Sequence, residues 1–165
     1  MVWGDMKKLK LYLDTTVWNF VFADDAPEYQ ANTLEFFQMV RLGVYEIFYS
    51  EAVTEEVEAA PNSRRNAIQK LFGEIAPQKL EPGKKIQALA DEYIKHGVLP
   101  KRSRADALHV AYSTIYEMDA LVSWNFRHLA NVNRRKRVMA LNIEKGYNFS
   151  VELVTPLEVL GDEKD

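Results

Sequence analysis

Apolar and polar positions alternate along this chain between two kinds of run. The first, Leu9-Lys10-Leu11-Tyr12-Leu13, is short and stops at Asp14, which predicts a strand with a carboxylate at its outgoing end. In residues 28–41 the spacing changes. Leu34, Phe37, Val40 and Leu42 recur close to the helical period, and Gly43 ends that helix. Tyr45-Glu46-Ile47-Phe48-Tyr49 predicts a second strand, Ser50 is placed to cap a helix running to about Ala60, and Pro61-Asn62 stops it. Helices over 63–74, with Ile68, Leu71 and Phe72 inward, and over 84–96 flank a short strand at Lys79-Leu80. A helix from Ser103 to about Met118 is apolar around most of its circumference, which predicts a central position. Ala120 to Ser123 predicts a strand, 134–145 a helix and Val151 to Val154 a last strand, after which Thr155-Pro156-Leu157 turns into a short tail.

Strands alternating with helices from end to end predict a three-layer α/β/α sandwich on a mainly parallel central sheet. Neither a repeat nor a linker divides the chain, so residues 1–165 are expected to form a single domain. Met6 offers an alternative start, which makes 1–7 an N-terminal extension and 158–165 a tail. Active sites in such sheets form outside the carboxyl ends of the strands, where Asp14 stands.

Composition narrows the chemistry. Hydrophobic residues make up 47% and charged residues 27%, an ordinary globular balance. No apolar run approaches the ~20 residues of a membrane span, and the first ten residues carry no secretion-signal core, so no membrane and a cytoplasmic location are expected. The absence of cysteine excludes disulfides and thiolate metal sites. A net charge of −3 argues against tight non-specific wrapping of nucleic acid, but two basic runs, Lys101-Arg102-Ser103-Arg104 and Arg134-Arg135-Lys136-Arg137, leave room for a local patch. Neither a Gly-x-Gly-x-x-Gly nor a phosphate-loop pattern is present.

Three acids are spaced so that a parallel sheet would gather them at one rim. Asp14 follows the first strand, Glu56 lies two turns into the helix after the second, and Asp106 opens the long helix. Asn125 follows the strand after that helix. Each also has an ordinary structural reading. Asp14 suits a helix cap or Asx turn. Glu56 belongs to the acidic set Glu51, Glu55, Glu56 and Glu58. Asp106 completes a capping box with Ser103, and Asn125 suits a turn.

Four segments together resemble the PIN-domain family of metal-dependent ribonucleases over nearly the whole chain: Leu13 to Trp18 (LDTTVW), Ser50 to Val57 (SEAVTEEV), Arg104 to Ala111 (RADALHVA) and Leu121 to Phe126 (LVSWNF). The resemblance implies metal-holding and catalytic roles for Asp14, Glu56 and Asp106, with Glu55 as the alternative if the register slips by one. Many members carry Asp in a Thr-x-Asp stretch at the fourth position. Here Ser123-Trp124-Asn125 brings a carbonyl and no charge, which leaves three carboxylates.

Clustered carboxylates repel, and Mg²⁺ or Mn²⁺ with hard oxygen ligands relieves that repulsion. Such an ion also lowers the pKa of a coordinated water, so RNA phosphodiester hydrolysis is the implied chemistry. Thr16 is placed to donate a hydroxyl to a carboxylate or water, and Asn125 serves as an auxiliary ligand. Arg104, Arg127 and His128 are candidate phosphate contacts. His109 lies one helical turn after Asp106, where packing is the ordinary reading. Trp18 and Trp124 suit base stacking or, more simply, core packing. The apolar excess over Tyr29 to Leu42 leaves surface for a protein partner. The resemblance names two, a second copy of the chain as a homodimer and an antitoxin, because many small members are toxins of toxin–antitoxin pairs. A PIN-like module that binds RNA or protein without hydrolysis is the alternative, favoured by Asn125 and the acidic balance.

Overall fold

The computed structural model describes residues 7–125, 131–149 and 151–164. Five strands, β1 (Leu9–Leu13), β2 (Tyr45–Ser50), β3 (Gln78–Leu80), β4 (Ala120–Val122) and β5 (Glu152–Val154), form one sheet in the order β3-β2-β1-β4-β5. Every neighbouring pair is parallel. Eight helices connect and follow them: α1 (Thr15–Phe20), α2 (Pro27–Arg41), α3 (Glu51–Glu58), α4 (Asn62–Ile75), α5 (Lys84–Lys95), α6 (Arg104–Ile115), α7 (Val132–Glu144) and α8 (Pro156–Lys164). None of the described helices is long and apolar enough to cross a membrane.

Strand order explains the layering. From β1 the chain steps outward to β2 and β3, then returns to lay β4 on the other side of β1. Parallel crossovers are almost always right-handed, so this reversal puts the helices before β3 on one face and α5 to α7 on the other. Packing on each face agrees with that assignment. Trp18 of α1 is fully buried against Phe37 of α2 and Phe72 of α4, at ring-centroid distances of 5.3 and 4.2 Å. On the opposite face the Tyr93 hydroxyl of α5 donates to Asn142 Oδ1 of α7 at 2.5 Å, and the Asn142 amide donates to Thr114 of α6 at 3.2 Å. These are buried polar groups satisfied by one another, so they fix the mutual register of three helices.

The long helix α6 buries Ala107, His109, Val110, Ala111, Tyr112, Ser113 and Thr114, and its central position matches its sequence pattern. It ends at Ile115, short of Met118, because the chain turns through Glu117 at φ +54°. Two helices were not expected. Asp14 caps the six-residue α1, its carboxylate accepting the Val17 N–H at 3.3 Å. The segment read as a tail after Val154 instead forms α8. Its start is a reciprocal capping box, in which the Glu158 N–H donates to Thr155 Oγ1 at 3.3 Å and the Thr155 N–H donates to Glu158 Oε1 at 3.4 Å. Pro156 at the first helical position needs no N–H partner, and the buried Val159 and Leu160 give the helix an inner face that packs toward α2.

Truncation of Trp18 to Ala should destabilise the protein by about 3–5 kcal/mol, since a fully buried indole shared by three helices leaves a cavity that their backbones cannot close. Urea unfolding checks this, and a loss below 1 kcal/mol would show that the α1–α2–α4 face is loosely packed.

Candidate active site

The sheet changes its direction of growth between β1 and β4, and α/β sheets bind ligands outside the carboxyl ends of the strands at such a point. Pairing runs through Leu13 and Val122, so the residues after them, Asp14 and Ser123, emerge side by side. The Asp14 N–H donates to Val122 O at 3.1 Å and extends the ladder by one step. Asp14 is only 2% exposed. Its Oδ1 accepts from Thr16 Oγ1 at 2.6 Å, and its Oδ2 accepts from Ser123 Oγ at 2.5 Å. Both hydroxyls accept in turn, Thr16 from the Trp124 N–H and Ser123 from the Asn125 N–H, each at 2.9 Å. Thr16 therefore does what its position suggested, and it also ties the turn after β4 to that after β1.

Asp106 enters from the first turn of α6, half-buried, and its Oδ2 accepts from the Asn125 amide nitrogen at 3.2 Å. Asn125 thus sits at the rim as a donor to one candidate carboxylate. Burial is the main force pushing the Asp14 pKa up, with the Asp106 charge adding to it. His109 and the Ser123 and Thr16 hydroxyls offset only part of that rise.

Glu56 comes from the second turn of α3, and its side chain is 41% exposed. Its Oε1 accepts from Thr15 Oγ1 at 2.6 Å and from His109 Nε2 at 2.8 Å. The other ring nitrogen of His109 lies 2.7 Å from the Tyr12 hydroxyl, itself 2.7 Å from Ser50 Oγ, which also accepts the Ala52 N–H. His109 is 1% exposed. Burial alone would lower its pKa, but the Glu56 hydrogen bond and the charges of Asp14, Glu56 and Asp106 together raise it above its ordinary 6.5. Glu56 shifts the complementary way. Burial pushes its pKa up, and the hydrogen bond and charge of His109, with the Thr15 hydroxyl, bring it below the ordinary value. Both shifts describe one ion pair. As an imidazolium, His109 donates from both nitrogens, to Glu56 and to the Tyr12 oxygen, and the Tyr12 hydroxyl is free to donate to Ser50. Burial also holds the Tyr12 phenol in its protonated form.

The three predicted acids are therefore all electrostatic neighbours of one buried histidine. Glu55, the alternative one residue earlier, is exposed, and no hydrogen bond links it to this group. Arg104 is turned toward α5, where its guanidinium pairs with Asp91 and donates to Gln87 at 2.7 Å. Arg127 and His128 lie outside the described residues. Trp18 and Trp124 are both buried, as core packing requires; Trp124 donates from Nε1 to Thr33 of α2 at 2.9 Å.

For a divalent ion the donor set has the right chemistry: carboxylate oxygens, hydroxyls and an amide, with no sulfur. Among the described residues no three His, Asp or Glu side chains form a ready-made cage.

No family model matches the chain, and no curated protein matches it. Among solved structures it is similar to a chain of VapBC2 from Rickettsia felis, determined bound to a DNA fragment from their promoter. The match spans 88% of this chain and 98% of that one, with a TM-score of 0.53 and 13% identity. At that identity the likeness is one of fold, and the five-stranded all-parallel sheet flanked by helices is consistent with a PIN-like architecture.

Two outcomes follow from the site's electrostatics. Asp14→Asn keeps a capping oxygen and removes the buried charge, so in metal-free buffer it should be as stable as wild type or more so. Asp14→Ala should lose about 1–3 kcal/mol through the lost cap and two stranded hydroxyls. Thermal melts decide this, and equal losses in both variants would contradict the charge argument. Because the His109 pKa is raised on folding, its stabilising effect is complete below about pH 6.5 and fades as pH climbs through the raised folded value. Glu56 is shifted down, so its share is present above about pH 4.3 and fades on acidification through its lowered value. An NMR titration of the metal-free protein should place the His109 midpoint above 6.5 and show it falling in Glu56→Gln; a midpoint at or below 6.5 in wild type would remove the ion pair.

Proposed function

We propose that this chain is a divalent-metal-dependent endoribonuclease that hydrolyses RNA phosphodiester bonds and acts as the toxin-like member of a toxin–antitoxin pair. The observation that carries this reading is the arrangement of Asp14, Asp106 and Glu56 around His109 at the carboxyl rim of the β1–β4 switch point. The similarity of fold to a chain of the two-component VapBC2 complex supports the pairing with an antitoxin. A homodimer belongs to the same proposal: on α2, Tyr29 and Leu34 are 41% and 42% exposed, and Leu42 beyond its end is 75% exposed, apolar area that a second protein would cover.

In this reading Asp14 and Asp106 would hold Mg²⁺ or Mn²⁺, with Glu56 completing the acidic side of the site, and the ion would lower the pKa of a water and offset the charge of a phosphodiester. The chain's own part is positional. Ser123 and Thr16 fix both oxygens of Asp14, so its carboxylate cannot rotate away. Asn125 steadies Asp106. Glu56, with one oxygen engaged by Thr15 and His109, keeps its other oxygen for the ion or a water on it.

Two observations favour a second reading, a PIN-like module that binds RNA or protein without cleaving. Asn125 brings an amide where a fourth carboxylate would add charge, and no three-ligand cage is formed among the described residues. Labelled RNA incubated with the purified protein separates the two. The nuclease reading expects cleavage with Mn²⁺, none with chelator, and a loss of at least about a hundredfold in Asp14→Asn and Asp106→Asn despite intact folding. RNA binding that survives both substitutions, with no cleavage under any metal condition, would establish the second reading instead.

A further inference from the structure

We propose that His109 is a positioning residue for the metal site: anchored by Tyr12, its imidazole holds the Glu56 carboxylate with one oxygen engaged and the other presented to the divalent ion. The inference rests on the metal-site reading above and adds a residue that reading does not require. Helical packing alone would explain a buried histidine on α6, but packing does not explain how this one is held. Both ring nitrogens are engaged at 2.7 and 2.8 Å, by partners on β1 and α3, 97 and 53 residues away in sequence. The Tyr12 hydroxyl is pinned in turn by Ser50 at the end of β2, so the ring is referenced to two sheet strands before it reaches Glu56. Tyr12 and His109 also pack ring to ring, 5.5 Å between centroids.

Glu56 needs such a support. It stands two turns into an eight-residue helix with its side chain 41% exposed, where a free glutamate would sample several rotamers. Thr15, following Asp14, and His109, on the helix that carries Asp106, both donate to the same oxygen, Oε1. The two donors thus tie Glu56 to the segments bearing the other two acids. Partners of this kind, one step behind the ligands, commonly affect metal affinity by about 10- to 100-fold.

Two substitutions divide the histidine's contacts. His109→Gln places an amide nitrogen near the position of Nε2 and keeps the Glu56 contact. His109→Asn places one near Nδ1 and keeps only the Tyr12 contact. Mn²⁺ binding followed by electron paramagnetic resonance, with thermal melts on the same samples, reads out the difference without any need for activity. Expected is a 10- to 100-fold weaker Mn²⁺ affinity in His109→Asn, equal to that of Glu56→Gln, with His109→Gln close to wild type. The double variant His109→Asn/Glu56→Gln should bind no more weakly than Glu56→Gln alone, because the histidine acts through the glutamate. If His109→Asn fails to fold, Tyr12→Phe, which frees the ring, should weaken Mn²⁺ binding in the same direction. Wild-type Mn²⁺ affinity in His109→Asn, or in Tyr12→Phe where that variant stands in, would reduce the histidine to a packing role; so would full additivity in the double variant. A wild-type protein that binds no Mn²⁺ would overturn the inference too. Wild-type protein that binds Mn²⁺ and shows the predicted series but leaves RNA uncut would refute the nuclease reading and leave this inference standing.

Discussion

Parallel pairing of β1 with β4 is the constraint from which the site follows. It joins segments more than a hundred residues apart, and it does so at the point where the sheet changes its direction of growth. With Leu13 opposite Val122, the next residue on each strand, Asp14 and Ser123, stands at the end of the ladder with its backbone N–H still bonded to the neighbouring strand. Asp14 and Ser123 satisfy each other there, and Thr16 and the Trp124 N–H complete the closure. A one-residue slip of this register would exchange the faces that Tyr12 and Leu13 occupy and part Asp14 from Ser123. The core is therefore built so that the site can exist only in one alignment.

Burying Asp14 has an electrostatic cost that hydroxyl donors alone do not offset, and the site answers it with a second buried ionisable group. His109 sits beside three carboxylates, whose charges, with the Glu56 hydrogen bond, raise its pKa against the opposing effect of burial. The ring is fixed in place by Tyr12 and Glu56. The arrangement resembles other sites in which ionisable groups with opposed pKa shifts mark a functional centre.

Much of the architecture is written in local patterns. Period-2 and helical runs predict the five strands and most helices, and the alternation of the two predicts a parallel sheet. What local pattern does not contain is the partner of a polar side chain. Asp14 is readable as a cap or as a site residue; the structure shows the cap, and a carboxylate that caps a short helix still lies at the strand end. Thr155-Pro156-Leu157-Glu158 carried a legible helix start, and its reading as a tail overlooked the capping box. The six-residue α1 is too short to show a period and depends on Asp14 and the buried Trp18 for its existence. His109 read as a packed residue because nothing near it in sequence announces Tyr12 or Glu56. Arg104 read as a phosphate contact because its partners, Asp91 and Gln87, lie on a helix whose orientation only the tertiary fold decides.

The central claim is that folding assembles one acidic rim able to take a divalent cation. Anomalous scattering from a crystal soaked in Mn²⁺ tests it most directly. The account predicts a peak beside the carboxylates of Asp14 and Asp106, within reach of the Glu56 side chain, and its loss in Asp14→Asn crystals. A peak found only on another acidic surface, such as that around Glu51 and Glu55, or no ordered ion at all under saturating Mn²⁺, would contradict it.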